Sequence, residues 1–140
     1  MARTVQIAVD CHDPERLAEF WCAALGYELR KPPAGHRSWA SYSEAVAVQP
    51  GEAWTVIVDP DGHGPGVLFH RVPEAKVGKN RLHLDVFLSP GSSAEERRPL
   101  VAPEVDRLVG LGATYLRTDD DGDDYYAVLQ DPEGNEFCVG

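Results

Sequence analysis

The sequence predicts an α+β fold built from two βαβββ repeats, because three features occur twice and in the same order. The turn Asp-Pro-acid-Gly begins at Asp59 and again at Asp131, each time between two apolar runs. The helix ends also agree, since "LGYELR" at residues 25–30 matches "LGATYLR" at residues 111–117. Each half reads as a strand, a helix and then further strands. In both turns, proline presets φ and glycine supplies a positive φ, so the duplicated turn indicates a duplicated supersecondary unit.

The first half begins with a strand and a helix whose signals are strong. Val5, Ile7 and Val9 alternate with polar residues, which predicts a half-buried strand. Asp13 is a good N-cap and Pro14 suits the first helical position, and the apolar spacing then continues to Gly26, where the helix can end. Short extended segments should follow: "YELRK", "WASYS", "AVAVQ", "WTVIVD" and "GVLFHRV".

The second half repeats this order after a polar segment. "RLHLDVFL" at residues 81–88 predicts a strand with Leu82, Leu84 and Val86 on one face. "SPGSSAEERRPL" is expected to be a loop or a short irregular helix, and a helix is expected to start at Pro103. "TYLRT", "YYAVLQ" and "NEFCV" predict three strands. We therefore expect a single domain over 1–140, with repeat one at about 1–73, a linker at about 74–79 and repeat two at about 80–140.

Composition narrows the class of protein. The 140 residues are 43% hydrophobic and 26% charged, which is ordinary for a globular chain. The formal net charge of −10 argues against nucleic acid as a partner, since phosphate binding needs clustered Lys and Arg. Apolar runs are too short for a membrane span, and the N-terminal residues lack a signal-peptide pattern, so we expect a cytoplasmic protein. Three cysteines without CxxC spacing predict neither a disulfide framework nor a structural zinc site.

Three stretches carry a resemblance to a known family: "DCHDPERLAEFWCAALGYEL", "NRLHLDV" and "DPEGNEFCV". Together with the paired βαβββ pattern, they resemble the vicinal oxygen chelate superfamily, which includes glyoxalase I, extradiol dioxygenases and bleomycin-resistance proteins. They look most like its glyoxalase-like subgroup. The resemblance implies a mixed sheet curled around a cleft, with one apolar face of each strand packed under a helix. It also implies a homodimer, which is the commonest soluble oligomer.

The resemblance implies one metal ligand on the first strand and one on the last strand of each half. These positions fall on Gln6 and His83 in the first strands, and near Phe69 or His70 at the end of the first half. At the end of the second half the counted position is Cys138, where metal enzymes of the family usually have Glu, and Glu136 lies two residues earlier. With Glu136 taken as the carboxylate ligand in place of Cys138, the implied set is Gln6, His83 and Glu136.

Three alternatives remain open for this set. A 2-His-1-carboxylate triad could combine His70, His83 and Glu136. A soft zinc site could combine Cys138 and His83, although a buried cysteine is more often a small hydrophobe. In the third alternative, His83 bonds to Asp85, Arg81 or water without any metal.

We expect a small-molecule-binding protein of the glyoxalase/bleomycin-resistance type. The alternative is a metal-dependent lyase, isomerase or dioxygenase using the same cleft with a divalent ion such as Zn, Ni, Mn or Fe. A third idea is proton transfer by His83 with Asp85 or Glu136, without a metal. Period-2 geometry turns the polar positions of these strands away from the helices. The expected ligand-binding residues are His83, Gln6, Asp85, Arg81, His70, Glu136 and Cys138.

Overall fold

A computed structural model describes residues 1–47 and 49–140. The chain forms two compact units, residues 1–75 and residues 76–140, and each contains one four-stranded mixed sheet. The sheets are not closed, and with the three helices found among the described residues they make an α+β fold of two repeats, as the sequence predicts. Among the described residues, no helix combines the length and apolarity that crossing a bilayer requires.

The first unit contains β1 (Gln6–Cys11), α1 (Pro14–Leu25), β2 (Glu28–Leu29), α2 (Trp39–Val46), β3 (Trp54–Val58) and β4 (Gly66–Arg71). The strand order is β1-β4-β3-β2, with β1 parallel to β4 and the other pairs antiparallel. The caps of α1 are those expected: the Asp13 carboxylate accepts from the Arg16 N–H at 3.1 Å, and Gly26 adopts a left-handed φ of 71°. The buried face of α1 includes Leu17, Phe20 and Trp21.

The second unit contains β5 (Asp85–Val86), α3 (Ala94–Gly110), β6 (Thr114–Asp120), β7 (Tyr125–Gln130) and β8 (Glu136–Val139). Its strand order, β5-β8-β7-β6, is that of the first unit, and β5 is parallel to β8 as β1 is parallel to β4. The first strands of the two halves therefore occupy equivalent places in their sheets, which confirms the predicted repeat.

The segment "WASYS" and the first two residues of "AVAVQ" are helical, which corrects the sequence-based prediction of strands. Residues 39–46 form α2, while Val48 lies outside the described residues. The Ser38 hydroxyl accepts a hydrogen bond from the Ser41 N–H at 3.1 Å. The Ser41 hydroxyl accepts one from the Ser38 N–H. Trp39 and Tyr42, one helical turn apart, make an edge-to-face contact with ring centroids 5.6 Å apart. Capping and this i,i+3 contact outweigh the strand propensity of aromatic residues.

Helix α3 starts at Ala94, nine residues before the predicted start at Pro103. Ser93 and Glu96 form a capping box, in which the Glu96 carboxylate accepts from the Ser93 N–H at 2.8 Å. Pro99 and Pro103 both lie inside the helix, although an interior proline removes a backbone hydrogen bond and costs about 3 kcal/mol. The prediction placed a proline at the helix start, where it is tolerated best.

Strand β5 is much shorter than the predicted strand over residues 81–88. The pairing with β8 begins where the Cys138 N–H donates to the Leu84 carbonyl at 2.9 Å, so Leu82 precedes it and is 68% exposed. Val5 is similarly 67% exposed, since β1 begins only at Gln6. The expectation that these two side chains pack under a helix is therefore wrong. Phe137 of β8 is buried as expected.

The two Asp-Pro-acid-Gly turns are held by the side chain of their first residue. Both Asp59 and Asp131 accept backbone N–H groups of their own turn through the carboxylate, at distances of 2.8–3.0 Å. The turn glycines, Gly62 and Gly134, have positive φ values of 73° and 83°, as the turn requires. Asp131 is only 3% exposed, so its hydrogen bonds satisfy backbone donors away from water.

We predict that Asp131→Ala lowers the free energy of unfolding by about 1–3 kcal/mol, because the partly buried N–H groups of Glu133 and Asn135 lose their buried acceptor. Urea denaturation measures the change. Asp121→Ala is the matched control, since this carboxylate also accepts two backbone N–H groups but in an exposed turn. The control should change stability by no more than about 0.5 kcal/mol. Equal losses in the two variants would contradict a role for burial.

Candidate functional site

The pairing of β5 with β8 builds a polar face in the second unit. Asp85 lies opposite Cys138 in the parallel register, and Val86 lies opposite Val139. Because side chains alternate along a strand, Cys138 points away from the buried Phe137 and Val139. His83 lies two residues before Asp85, just outside β5, and its side chain is on the side of Cys138.

The three side chains on this face converge. His83 Nδ1 lies 3.5 Å from Asp85 Oδ1, and one donor atom from each of His83, Asp85 and Cys138 lies within 4.8 Å of the others. The His83 and Asp85 side chains are 42% and 54% exposed, so solutes can reach them. The group therefore offers a nitrogen, an oxygen and a sulfur atom to one solvent-accessible point.

The convergent group lines a cavity of about 310 Å³, called the His83 pocket below. Its lining residues, all in the second unit, are His83, Asp85, Val86, Phe87, Arg97, Asp124, Tyr126, Cys138 and Gly140.

An ion pair neutralises part of the charge in the His83 pocket. Arg97 Nη2 contacts Asp124 Oδ1 at 2.7 Å, and the Arg97 side chain is only 13% exposed. Asp85, in contrast, faces His83 and Cys138. The pocket therefore presents one carboxylate that a cation or a hydrogen-bond donor can neutralise.

The thiol of Cys138 is held in its protonated form. Burial of the sulfur and, next in weight, the carboxylate of Asp85 raise the pKa of Cys138 from 9.0 to about 11. Both causes disfavour the thiolate, since one removes water and the other adds a like charge. The thiol of Cys138 is therefore a weak nucleophile at neutral pH unless a bound cation compensates the charge.

Glu136 and Arg81 lie outside the group formed by His83, Asp85 and Cys138. The Glu136 carboxylate accepts from the Asn80 N–H at 3.0 Å and contacts Lys76 Nζ at 3.4 Å. Burial alone would raise the pKa of Glu136, but the Asn80 N–H and the Lys76 ammonium lower it overall. Arg81 is exposed and precedes β5. The set of Gln6, His83 and Glu136 stays a prediction.

In the first unit, strand register places Gln6 at the position that His83 has in the second. Ala8 pairs with Leu68 as Asp85 pairs with Cys138, and Gln6 precedes Ala8 by two residues. By the same correspondence, Leu68 occupies the place of Cys138.

His70 lies on the same sheet face as Gln6, two residues after Leu68, while Phe69 is fully buried on the opposite face. The His70 ring stacks on Trp54, with centroids 5.3 Å apart and planes at 1°. Its Nδ1 lies 3.7 Å from Asp10 Oδ1 and its Nε2 lies 3.8 Å from Glu52 Oε1. This packing gives His70 a defined environment within the first unit, between two carboxylates.

Sequence reasoning missed Arg97 and Asp124. Arg97 falls in a segment expected to be a loop or a short irregular helix, and Asp124 falls in a turn of repeated aspartates. The capping-box pattern Ser93-x-x-Glu96 was the available signal, because it fixes where α3 begins and so which α3 side chains face the sheet.

We predict that Cys138 reacts slowly with iodoacetamide at pH 8, where a pKa of about 11 leaves about one thiol in a thousand ionised. Asp85→Asn removes a negative charge, lowers the pKa of Cys138 and should accelerate the reaction. Peptide-resolved mass spectrometry of metal-free protein separates Cys138 from Cys22, whose labelling rate serves as the internal control. A Cys138 rate that is unchanged in Asp85→Asn would contradict the assigned contact.

Comparison with known proteins places this fold. A profile of the glyoxalase-like domain family matches residues 6–140. A glyoxalase/bleomycin resistance/dioxygenase family enzyme from Burkholderia phytofirmans PsJN is 16% identical, with a TM-score of 0.64 over 96% of this chain and 94% of that one. The fosfomycin resistance protein FosX from Mesorhizobium loti is 10% identical, with a TM-score of 0.63 over 99% and 90% of the two chains.

A point mutant of FosX from Listeria monocytogenes, in complex with Mn(II) and 1S,2S-dihydroxypropylphosphonic acid, is 12% identical, with a TM-score of 0.64 over 99% of this chain and 89% of that one. At such identities, the likeness shows the fold alone. The comparison with curated proteins gave no match. Because the family profile covers nearly the whole chain, this chain belongs to the glyoxalase-like domain family, in agreement with its resemblance to the vicinal oxygen chelate superfamily.

Proposed function

We propose that this protein binds a small molecule in the His83 pocket of its second unit. The observation that carries the proposal is the convergence of His83, Asp85 and Cys138 on one wall of a cavity of about 310 Å³. Small-molecule sites usually combine a concave, largely apolar surface with a few convergent polar groups, in volumes of roughly 300–1,000 Å³. The pocket stands at the small end of this range, which favours a compact ligand.

The pocket has the lining that such a ligand needs. Val86, Phe87 and Tyr126 supply apolar and aromatic surface, while His83 and Asp85 supply an imidazole and a carboxylate. Because Arg97 is paired with Asp124, the uncompensated charge near His83 is negative. The proposed ligand therefore carries a positive charge or hydrogen-bond donors at the end that meets Asp85.

A second candidate function is metal-dependent lyase, isomerase or dioxygenase chemistry. It is favoured by the three donor atoms within 4.8 Å and by the Mn(II) bound in the Listeria monocytogenes FosX structure. His83, Asp85 and Cys138 fit the role of ligands, and a bound divalent ion would supply Lewis-acid polarisation of a substrate oxygen. Beside it, the His83 imidazole and the Asp85 carboxylate at 3.5 Å can hold or move a proton.

From the resemblance, we further propose that residues at about 74–79 are a linker between the repeats. We also propose that the protein is a homodimer and is located in the cytoplasm. Light scattering at micromolar concentration measures the oligomeric state, and a mass near the 15.3 kDa of one chain would count against the dimer.

We predict that His83→Ala weakens binding of pocket ligands at least tenfold, which is about 1.4 kcal/mol. It should change the free energy of unfolding by less than about 1–2 kcal/mol, because the side chain is 42% exposed and outside the packed core. Ligand-observed NMR with a library of small amines, carboxylates and neutral aromatic compounds identifies binders to chelator-treated protein. Titrations then compare the variants.

The matched control is His63→Ala, which removes an exposed loop histidine of the first unit. It should bind the same fragments as the wild type. Fragments that bind wild type and His83→Ala equally well would remove the His83 pocket as the site. A His83→Ala variant that unfolds, with normal affinity in its folded fraction, would make His83 a structural residue.

A further inference from the structure

We propose that His83, Asp85 and Cys138 form a three-ligand site for a thiophilic divalent ion of the zinc class, complete within the second unit. This inference uses the same pocket as the proposed function, but it stands separately, because it concerns the ion alone and not the organic ligand. It also differs from the set implied by the resemblance, which needs Gln6 and Glu136.

Strand geometry holds the three donors together. Asp85 and Cys138 are directly paired across β5 and β8, and the His83 side chain, two residues before β5, contacts Asp85 at 3.5 Å. Backbone hydrogen bonds lock this register, from Cys138 N–H to Leu84 at 2.9 Å and from Gly140 N–H to Val86 at 3.0 Å. Two of the three ligands, Asp85 and Cys138, therefore lie on paired strands, which position side chains more precisely than loops do.

The donor separations suit a small ion. Zinc bonds of about 2.0–2.3 Å in a tetrahedron place neighbouring donor atoms roughly 3.3–3.8 Å apart. His83 Nδ1 and Asp85 Oδ1 already lie at 3.5 Å, and all three donors lie within 4.8 Å. The remaining contraction is about 1 Å, which partly exposed side chains can provide by small rotations.

The sulfur atom decides which ion is preferred. Manganese and magnesium favour sites made of oxygen ligands, whereas a thiolate favours zinc and other soft or borderline ions. Cys138 stands two residues from Glu136, and the Glu136 carboxylate is engaged by Asn80 and Lys76. The available set is therefore one nitrogen, one oxygen and one sulfur, and not a set of oxygens.

The site also leaves room for a further ligand. Three protein ligands with an open position are typical of catalytic zinc, while structural zinc has four. The donors line a cavity of about 310 Å³, with Tyr126 and Phe87 also in its lining, so water or a small molecule can take the fourth position. An ion held there would compensate the negative charge of Asp85 and of the Cys138 thiolate.

The test uses untagged, chelator-treated protein with Zn²⁺, Co²⁺ and Mn²⁺ as probes. Calorimetry should give one Zn²⁺ per chain and at least tenfold weaker binding of Mn²⁺. Co²⁺ should produce the near-ultraviolet absorption band of thiolate-to-cobalt charge transfer. Cys138→Ser should lose that band and at least tenfold in Zn²⁺ affinity. Cys22→Ser, which removes another half-buried thiol, should keep both.

Cys138→Glu adds a sharper arm, since it replaces sulfur with oxygen at the same place. In Cys138→Glu, the ratio of Zn²⁺ affinity to Mn²⁺ affinity should be at least tenfold smaller than in the wild type. Equal Zn²⁺ affinity in wild type and Cys138→Ser, or tighter Mn²⁺ than Zn²⁺ in the wild type, would overturn the inference. Because the fragment titrations use metal-free protein, loss of the zinc site leaves the small-molecule proposal intact, and loss of fragment binding leaves the zinc site intact.

Discussion

The candidate site depends on one constraint, the parallel pairing of β5 with β8 in the register that sets Asp85 opposite Cys138. A slip of one residue would turn every side chain of β8 to the other face. It would expose Phe137 and Val139, which are 1% and 0% exposed, at a cost of about 1.5–3 kcal/mol each. The apolar side of β8 thereby fixes where the Cys138 sulfur points, so core packing and site geometry have the same cause.

The turn before β8 supports this register from the other end of the strand. The Asp131 carboxylate holds the N–H groups of Glu133 and Asn135, and β7 and β8 then pair from Gln130 opposite Glu136. In the first unit, the Asp59 carboxylate likewise accepts backbone N–H groups of its turn. The residue at the position of Cys138, however, is Leu68 in the first sheet. Two similar scaffolds therefore present different chemistry, because fold and site residues vary independently.

The repeat, the succession of strand, helix and further strands along each half, and the cap of α1 follow from period-2 and helical patterns, and the turn residues locate the hairpins. The start of α3 and the helical state of α2 do not follow from such patterns. Both depend on serine caps, at Ser93 and Ser38, that compete with proline and aromatic signals pointing elsewhere. In the site, His83, Asp85 and Cys138 were among the expected residues. The Glu136 carboxylate is bound instead by Asn80 and Lys76. Both residues are far from Glu136 in sequence, and no local pattern indicates the contact.

The β5–β8 register, on which the site depends, can be measured directly by NMR of the isotopically labelled protein. The hydrogen bond from the Cys138 N–H to Leu84 places that amide proton beside the α-proton of Asp85, so a strong cross-strand nuclear Overhauser effect should join the two. A strong effect from the Cys138 amide to the α-proton of Leu84 or Val86 would show a shifted register. It would place Cys138 on a different pairing partner and would contradict the account of the site.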